Sequence, residues 1–442
     1  MQPTLVLDSG ADMNGNREIL NLPFDGDLNS VVRLAQNLPN FMWFDGGNTL
    51  PSLLLWGKGK VVLDSPSWQE DIRASIGGAG CLKISNKRYF SGGLAGIWGY
   101  EFGARCEEMP PPSTKRPHPD LYVRRYEGGL TFEPSRNEFV AAGSSQFVRS
   151  AKELLMKAQK ELKVRSIAEA TMHVESPDDA EFVSGVERIL GEIEAGGCYQ
   201  VNLSRRLVFS APAAPLETYI KLRECHPAEM GAYITMPNGF VLSNSPELFL
   251  KLVGRSVETR PIKGTRPRTG NPAADEAART DLESSEKEIA ELTMITDLAR
   301  NDLSRVAAPG TVVCDPRRVF PLPTLFHAEQ RVTCTLRESL DVVDLIEATF
   351  PPASVTGAPK VQAMKTIQEL EPVSRGVYTG AIGWISDHGD AMFSVAIRTL
   401  SVHGDSAYLH LGSGIVADSD PHCELEESKW KGAAIIKTIT GA

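Results

Sequence analysis

The chain lacks the features of a secreted or membrane-spanning protein. Its seven cysteines are odd in number and widely spaced, and no CxxC pair occurs. This argues against a disulfide framework and a zinc site, and it favours reduced thiols in the cytoplasm. No apolar run reaches the roughly 18 residues that a bilayer-spanning helix needs. The first residues contain no basic region leading into an apolar run, so we expect no secretory signal.

The chain also has fewer basic residues than acidic ones. Asp and Glu number 56 against 46 Lys and Arg, which gives a formal net charge of −10. Nucleic acids and membrane surfaces are polyanions that attract positively charged proteins, so this balance argues against a general binder of either. A small anionic substrate remains compatible, because a pocket can be locally positive in an acidic protein.

The length of the chain predicts two lobes. A chain of 442 residues is longer than one ordinary compact core requires. The first part alternates strand-like apolar segments with Gly and Pro turns. An amphipathic helix is predicted over residues 178–194, and the motifs become dense after it. We therefore predict an N-terminal lobe over residues 1–170 and a catalytic domain over residues 171–442.

Two distant segments each contain a pair of glutamates at helical spacing. Glu288 and Glu291 are three residues apart, as are Glu424 and Glu427, so each pair lies on one face of a helix. Two such pairs can hold a hard divalent cation, and magnesium prefers oxygen ligands of this kind. Spacing alone nevertheless favours a simpler interpretation, namely two solvated acidic helix faces.

Glu247 and Lys263 are candidates for an acid and a nucleophile. Glu247 follows a strand-like run, and a carboxyl group at a strand end inside a pocket can have a raised pKa and act as a general acid. Lys263 lies in a predicted tight turn, Pro-Ile-Lys-Gly-Thr. A desolvated lysine amine can become a nucleophile. Without such burial, Lys263 is an ordinary surface charge, which is the usual state of a lysine in a turn.

A glycine-containing segment and an arginine are candidates for binding an anion. Gly412, Ser413 and Gly414 follow a strand-like run, and glycines let backbone N–H groups face a carboxylate. An ordinary turn fits the same residues equally well. Arg398 falls within an alternating segment that predicts a strand, and its guanidinium can bind a carboxylate through two parallel hydrogen bonds. A surface arginine at a strand end is the simpler interpretation.

Two other motifs are predicted to be structural. Cys198 lacks the glycines on both sides that a nucleophile elbow requires, and the residues after it enter a strand. We expect a buried or half-buried thiol there. The segment 356–360, Thr-Gly-Ala-Pro-Lys, does not match a phosphate-binding loop, and its proline suits the start of a helix.

Taken together, these segments resemble the family of chorismate-utilising enzymes. The resemblance is strong over residues 178–440 and weaker before them. The motifs lie at residues 199–205, 245–247, 261–265, 297–302, 356–360, 396–399 and 412–419. So many motifs in one order are highly specific and outweigh the simpler interpretations above. The resemblance implies an α+β fold, a two-lobed sandwich of large antiparallel β-sheets flanked by helices, with the active site in the cleft.

The resemblance also implies a role for each candidate. Glu247 would protonate the leaving 4-hydroxyl group of chorismate, and Lys263 would attack C2. The four glutamates would form a magnesium site with Glu291 and Glu427 as direct ligands, and the metal would hold the ring carboxylate and polarise the ring. An arginine and a tyrosine would bind the enolpyruvyl carboxylate. The residues implied to line the substrate pocket are Thr265, His327, Tyr378, Arg398, Gly412, Ser413, Gly414 and Lys431.

Two positions indicate which reaction of the family the chain performs. Members that add water have a lysine base where this chain has Gln200, and glutamine cannot take a proton from water. Members that aminate C2 typically have alanine where this chain has Lys263, whereas members with lysine aminate C4. The resemblance therefore implies a covalent route in which the lysine adds at C2 and ammonia then adds at C4. The product would be 4-amino-4-deoxychorismate, on the route to 4-aminobenzoate and folate.

Other positions concern regulation and partners. Leu292 stands where C2-aminating members usually have histidine, and residues 42–47 lack the Leu-Leu-Glu-Ser pattern that binds feedback tryptophan. This argues against tryptophan regulation. The chain contains no convincing glutaminase domain, so glutamine-derived ammonia would come from a separate amidotransferase subunit in a heterodimer. The rival interpretations are a C2-aminating enzyme and a non-catalytic, ligand-sensing homologue.

Overall fold

The fold is built from antiparallel sheets whose strands come from both halves of the chain. The structure, a computed structural model, describes residues 17–24, 26–77, 83–84, 87–107, 109–110, 116–158, 170–322 and 325–441. The strands are β1 (Arg17–Pro23), β2 (Met42–Asp45), β3 (Ser52–Leu55), β4 (Val61–Leu63), β5 (Lys83–Ile84), β6 (Lys87–Arg88), β7 (Gly93–Trp98), β8 (Leu121–Tyr126), β9 (Gly128–Glu133), β10 (Glu138–Ser144), β11 (Met172–Ser176), β12 (Gln200–Ser210), β13 (Met230–Met236), β14 (Gly239–Ser245), β15 (Leu248–Val253), β16 (Ser256–Arg260), β17 (Ile262–Pro267), β18 (Val313–Cys314), β19 (Arg318–Pro321), β20 (Leu325–Glu329), β21 (Val332–Thr335), β22 (Gly357–Ala358), β23 (Ala381–Ser386), β24 (Ala391–Val395), β25 (Thr399–His403) and β26 (Ser406–Ile415).

Helices cover the outer faces of these sheets. The α-helices are α1 (Leu28–Ala35), α2 (Trp68–Ser75), α3 (Gly103–Cys106), α4 (Ser145–Ala158), α5 (Asp179–Glu194), α6 (Pro215–Cys225), α7 (Pro272–Ser284), α8 (Glu286–Ser304), α9 (Val342–Thr349), α10 (Lys360–Leu370) and α11 (Pro421–Thr440). Two short 3-10 helices span Tyr100–Phe102 and Ala353–Val355. The predicted α+β class is confirmed.

Two large sheets dominate the architecture. The first has 12 strands in the order β1-β10-β9-β3-β2-β13-β14-β25-β26-β12-β11, with β22 also paired to β12. The second has nine strands in the order β18-β21-β16-β15-β24-β23-β7-β8-β4. A three-stranded sheet, β17-β20-β19, and the hairpin β5-β6 complete the set. Strands from before and after residue 170 share both large sheets, and the domain boundary there stays a prediction.

Local sequence explains several of these elements. Asp178 and Glu181 form a capping box at the start of α5, which satisfies N–H groups that the first helical turn leaves free. Gly96 lies where β7 runs closely against β8, since a Cβ there would lie 1.9 Å from the carbonyl oxygen of Tyr122. The buried thiol predicted at Cys198 is confirmed, because that residue is 2% exposed.

Apolar layers hold the two large sheets together. One buried cluster contains Met42 and Leu55 from the 12-stranded sheet together with Ala95 and Ile97 from the nine-stranded sheet, so these sheets pack face to face. A second cluster lies between the 12-stranded sheet and helices such as α1, α4 and α6. A third joins the nine-stranded sheet to α2, α8 and α9.

Two neighbouring segments cross from one large sheet to the other. Glu247 lies between β14 of the 12-stranded sheet and β15 of the nine-stranded sheet, and Arg398 lies between β24 and β25. The crossings are hydrogen-bonded to each other's strands. The N–H of Asn244 donates to the carbonyl of Arg398 at 3.0 Å, and the N–H of Val395 donates to the carbonyl of Glu247 at 3.1 Å.

Two local predictions are wrong. Lys263 lies in β17 rather than in a tight turn, at a shift in the register with β20 that includes Gly264 at φ 83°. Arg398 lies outside the strands with φ 50°, because the chain changes sheets there. For residues 412–414, the alternative of an ordinary turn after a strand is excluded. They continue β26, where Gly412 pairs with Ser204 of β12.

A buried ion pair joins α8 to α10. Lys360 Nζ lies 2.7 Å from Asp302 Oδ2 and donates to the carbonyl of Thr349 at 2.8 Å. Both members of the ion pair are 6% exposed. Burial raises the pKa of Asp302 to about 6, although Lys360 acts in the opposite direction. The segment 356–360 therefore has the structural role that its sequence predicts.

We expect Lys360→Met to lower the free energy of unfolding by about 3 kcal/mol, because it leaves Asp302 buried without its cation. Urea denaturation followed by circular dichroism measures this change. Lys365→Met, an exposed position on the same helix, is the matched control and should shift stability little. Equal stability of the two variants would contradict the importance of this ion pair.

Candidate active site

Glu247 is a buried acid at a crossing between the two large sheets. Its side chain is only 4% exposed. The side chain of Ser354 and the backbone N–H of Ile262 lie near the carboxylate. Burial raises the pKa of Glu247 to about 7, although these two donors and the nearby Lys263 and Arg398 act in the opposite direction. A carboxyl group with such a pKa is suited to act as a general acid near neutral pH.

Lys263 lies beside this acid. It directly follows Ile262, whose backbone N–H lies near the Glu247 carboxylate, and the charge of Lys263 acts to lower the pKa of Glu247. A Cβ added at Gly414 would lie 3.2 Å from Lys263 Nζ and 2.3 Å from Gln200 Nε2. The lysine amine and the glutamine amide therefore converge on the bare backbone of this glycine. Gln200 is 1% exposed, and its Oε1 has no hydrogen-bond partner within the described part of the chain.

Thr265 and His327 form a polar pair on neighbouring strands. They are opposite each other in the β17–β20 pairing, and Thr265 Oγ1 lies 2.9 Å from His327 Nδ1. Burial, with help from Arg398, lowers the pKa of His327 to about 3, so the imidazole is neutral. Its Nε2 has no partner among the described residues and is free to contact a ligand.

Arg398 brings a positive charge to the same region. Burial lowers the pKa of Arg398 and Glu247 opposes this effect, while Arg398 in turn lowers the pKa of both Glu247 and His327. These mutual effects show that the three side chains lie close together. Arg398 is half-buried by solvent exposure, and a guanidinium in this position can bind a carboxylate.

Tyr378 is fixed by a polar and aromatic surrounding. Its ring stacks on that of His410 with centroids 5.3 Å apart and an angle of 14°. The side chain of Asn202 lies near the Tyr378 hydroxyl and acts against the burial that raises the pKa of Tyr378. A Cβ at Gly412 would lie 2.8 Å from the Tyr378 hydroxyl. Lys431 Nζ donates to the carbonyl of Gly412 at 3.2 Å. Tyr378 and Lys431 therefore meet at the glycine-containing end of β26.

The two predicted glutamate pairs lie on α8 and α11. Lys287 stands between these helices, with its Nζ 3.9 Å from Glu291 and 3.8 Å from Glu424. Glu288 pairs with Arg266 at 3.1 Å. Glu427 pairs with Lys431 at 2.6 Å. The fold thus brings all four carboxylates to one end of the site, each with a basic neighbour.

The electrostatics of these carboxylates fit a cation-binding role. Burial raises the pKa of Glu291, and the neighbouring Glu288 and Glu427 add to this effect. Burial also acts to raise the pKa of Glu427, but Lys431 and other lysines lower it overall. A divalent cation would relieve the repulsion between such carboxylates. Within the described ranges, no three acidic, His or Cys side chains converge closely enough to form a metal cluster.

Ser413 completes the set of predicted site residues. It is fully buried on β26, and its hydroxyl lies 3.4 Å from the carbonyl of Glu424. It therefore links the strand to the start of α11. Glu424 also accepts a hydrogen bond from Ser419 at 2.6 Å, which fixes this carboxylate more firmly than its exposed neighbour Glu427.

Two residues of the site were not predicted. Ser354 lies near Glu247 and acts to lower its pKa, and Asn202 does the same to Tyr378. Asn202 follows Gln200 at the two-residue period of a strand, which places both side chains on one face of β12; this alternation was a usable signal. Ser354 lies in a 3-10 helix before the segment 356–360, and no local pattern marks it.

A large cavity lies between the sheets next to the site. Its volume is about 570 Å³, and its wall includes Pro246 and Ile262, the chain neighbours of Glu247 and Lys263. Phe44 and Asp45, from the segment that lacks the tryptophan-binding pattern, also line it. The prediction about tryptophan regulation stays a prediction.

The fold and the site together define a class of protein that comparisons with known proteins identify. An anthranilate synthase component I structure from Streptococcus pneumoniae superimposes with a TM-score of 0.73 at 25% identity, covering 99% of this chain and 95% of that one. A family profile described as chorismate binding enzyme matches residues 40–437. The chain therefore belongs to the family of chorismate-binding enzymes.

Curated relatives of the chain include two kinds of synthase from this family. Aminodeoxychorismate synthase component 1 of Salmonella typhimurium is 35% identical over 341 residues, which cover 77% of this chain and 75% of that protein. Anthranilate synthase component 1 of Streptomyces coelicolor is 36% identical over 377 residues, which cover 80% of this chain and 74% of that protein. Among the described residues, none of the helices is both long and apolar enough to cross a membrane.

Glu247 should make the free energy of unfolding depend on pH. Its pKa rises from an ordinary 4.5 to about 7 on folding, so the folded state binds this proton more tightly than the unfolded state. The resulting stabilisation is complete below pH 4.5 and is lost as the pH rises through 7, a change of about 3 kcal/mol. Urea unfolding of wild type and Glu247→Gln across this range measures the difference.

The exposed variant Glu187→Gln is the control and should follow wild type at every pH. If Glu247→Gln showed the same pH dependence as wild type, the raised pKa of Glu247 would be ruled out.

Proposed function

We propose that the chain is component 1 of an aminodeoxychorismate synthase, which converts chorismate and ammonia into 4-amino-4-deoxychorismate. The observation that supports this most is the amine of Lys263 beside the buried acid Glu247, with Gln200 in place of a water-activating lysine. Relatives that aminate C4 and relatives that aminate C2 are similar to the chain at nearly equal identity. The lysine at position 263, where anthranilate synthases typically have alanine, therefore favours C4.

Three side chains account for the chemistry at the ring. Glu247 gives its proton to the 4-hydroxyl group, which leaves as water. As that C–O bond breaks, Lys263 Nζ forms a bond to C2 and the ring double bonds shift. Ammonia then forms a bond to C4, the double bonds shift back, and the C2–N bond breaks to release the lysine. Gln200 has no basic atom that takes a proton from water, so water is not activated as a competing nucleophile.

Residues around the ring would hold its carboxylates. Arg398 and Tyr378 bind the enolpyruvyl carboxylate, together with the backbone at the glycine-containing end of β26. Thr265, His327 and Lys431 line the same space. The half-buried Arg398 and the neutral His327 suit this task, because neither forms an ion pair among the described residues that the substrate would have to break.

Magnesium is the proposed cofactor. Glu291 and Glu427 would be its direct ligands, supported by Glu288 and Glu424, and their oxygen atoms match its preference. When bound, the metal holds the ring carboxylate and polarises the ring. Lys287, which lies between the two helices, neutralises part of the carboxylate charge and would give way to the cation.

A partner subunit is the proposed source of ammonia. The curated relatives are named as first components, which supports a second component in the assembly. We infer that it is a glutamine amidotransferase that forms a heterodimer with this chain. We place the assembly in the cytoplasm, since the cysteine usage fits reduced thiols.

Lys263→Ala should abolish a covalent intermediate. We expect wild type mixed with chorismate and magnesium, without ammonia, to gain a mass equal to chorismate less one water. This is the mass of the intermediate in which Lys263 has added at C2 and the 4-hydroxyl group has left as water. Intact-protein mass spectrometry after rapid acid quenching measures it. Lys365→Ala, at an exposed position, should keep the adduct. An adduct on Lys263→Ala as well would remove this lysine as the nucleophile.

Glu291→Gln should weaken magnesium binding by more than about 10-fold, because a direct ligand loses its charge. Calorimetric titration with magnesium measures the affinity without any need for turnover. Glu426→Gln, an exposed position on α11, is the matched control and should bind magnesium as wild type does. Equal affinity in Glu291→Gln and wild type would show that the metal, if it binds, does so elsewhere.

A further inference from the structure

A cavity separate from the residues assigned above lies between the Tyr100–Phe102 turn and α10. Its volume is about 130 Å³. The polar side chains that line it include Tyr100, Glu101, Gln368, Glu371 and Arg375. Gln368 is exposed, so the cavity reaches the surface on that side. None of these residues has a role in the chemistry proposed for chorismate.

The charges around this cavity leave one carboxylate without a cation. Glu371 and Arg375 neutralise each other at 2.6 Å. Arg116 likewise pairs with Asp120 at 2.6 Å, the carboxylate whose charge acts most strongly on Glu101. Glu101 itself is 6% exposed. Within the described ranges, no Lys, Arg or His nitrogen forms a salt bridge with it.

The hydrogen bonds of Glu101 leave its acceptor capacity partly unused. One oxygen accepts from the backbone N–H of Arg375 at 2.8 Å and the other from that of Gly376 at 2.9 Å. A carboxylate can accept about four hydrogen bonds. Burial raises the pKa of Glu101 to about 7, with Asp120 adding to the effect. A bound cation would favour the ionised form and remove this cost.

A second polar group in the cavity has no partner. The Tyr100 hydroxyl is buried and unpaired in the part of the chain that the structure describes. Thr356, its polar neighbour, donates its own hydroxyl proton to the carbonyl of Pro352. Buried polar groups in native proteins are normally satisfied. An unpaired hydroxyl and a buried carboxylate that has no salt bridge among the described residues line one cavity, and together they indicate a small ligand.

We propose that this cavity binds the ammonium ion and is the entry site for the amine co-substrate, an inference that rests on the proposed function. Ammonium has four donors, and Glu101 and Tyr100 offer acceptors for them. The single uncompensated carboxylate matches a single positive charge. A divalent cation fits less well, because it requires more oxygen ligands than this lining offers and would face the guanidinium of Arg375.

The cavity shares a wall with the substrate site. Glu371 accepts a hydrogen bond from the N–H of Ser204 on β12 at 2.8 Å. Arg375 donates to the carbonyl of Asn202, and its guanidinium lies 5.8 Å from the ring centroid of Tyr378. One layer of side chains therefore separates the cavity from Tyr378, which we propose binds the substrate.

Ammonium binding is tested with two variants and one control. Glu101→Gln removes the charge, and Ala104→Leu fills the cavity without removing a hydrogen bond. Glu369→Gln, exposed on α10, is the control. We expect the melting temperature of wild type and of the control to be higher in ammonium chloride than in sodium chloride at the same concentration. The melting temperatures of Glu101→Gln and Ala104→Leu should be the same in the two salts. The KM for ammonium should rise about 10-fold in both variants, with the KM for chorismate unchanged.

Each outcome decides the proposal. No ammonium-specific stabilisation of wild type, or an unchanged KM for ammonium in both variants, would overturn it. If Glu101→Gln does not fold, Ala104→Leu decides alone. The melting measurement requires no turnover, so ammonium-specific stabilisation that both variants lose would stand even if the enzyme made no 4-amino product. That combination would reject the proposed function and keep the binding site.

Discussion

The site depends on two neighbouring places where the chain crosses between the large sheets. Each crossing removes backbone groups from one hydrogen-bonding ladder before they join the next. The two crossings satisfy each other, since Asn244 bonds to Arg398 and Val395 bonds to Glu247. This arrangement holds a carboxyl group and a guanidinium group inside an apolar sandwich. Desolvation then raises the pKa of the Glu247 carboxyl group and lowers the pKa of the Arg398 guanidinium.

The remaining site residues surround these crossings. β17 brings Ile262 and Lys263 close enough to Glu247 to act on its pKa, and β26 presents a bare glycine backbone to the lysine amine. The helices α8 and α11 add carboxylates at one end, where lysine and arginine side chains balance their charge. The acid, the lysine amine and the glutamates thus lie on different sides of one space. The proposed reaction requires this arrangement, because it breaks a bond at C4 while it forms another at C2.

The sequence predicted elements better than it predicted their irregularities. The helices of the glutamate pairs and α5 follow from capping and periodicity, which are local properties. The conformation of Arg398 was predicted wrongly, because a local alternating pattern does not reveal where a strand changes sheets. Lys263 was placed in a turn because Gly264 and the proline before it suggest one, whereas the strand continues through a register shift.

Local sequence patterns also could not predict which distant segments come into contact. Ser354 and Glu247 are more than a hundred residues apart in the chain, and only the fold shows that they are neighbours. The resemblance to a family supplied the residues of the site, and the structure supplied the burial that suits Glu247 to act as an acid.

The most direct test of this account is the identity of the product formed from chorismate, magnesium and an ammonium salt. Chromatography with mass detection separates the isomers that have the amino group at C4 and at C2. The account predicts 4-amino-4-deoxychorismate from wild type. A 2-amino product or anthranilate, formed by wild type and by Lys263→Ala at equal rates, would contradict it.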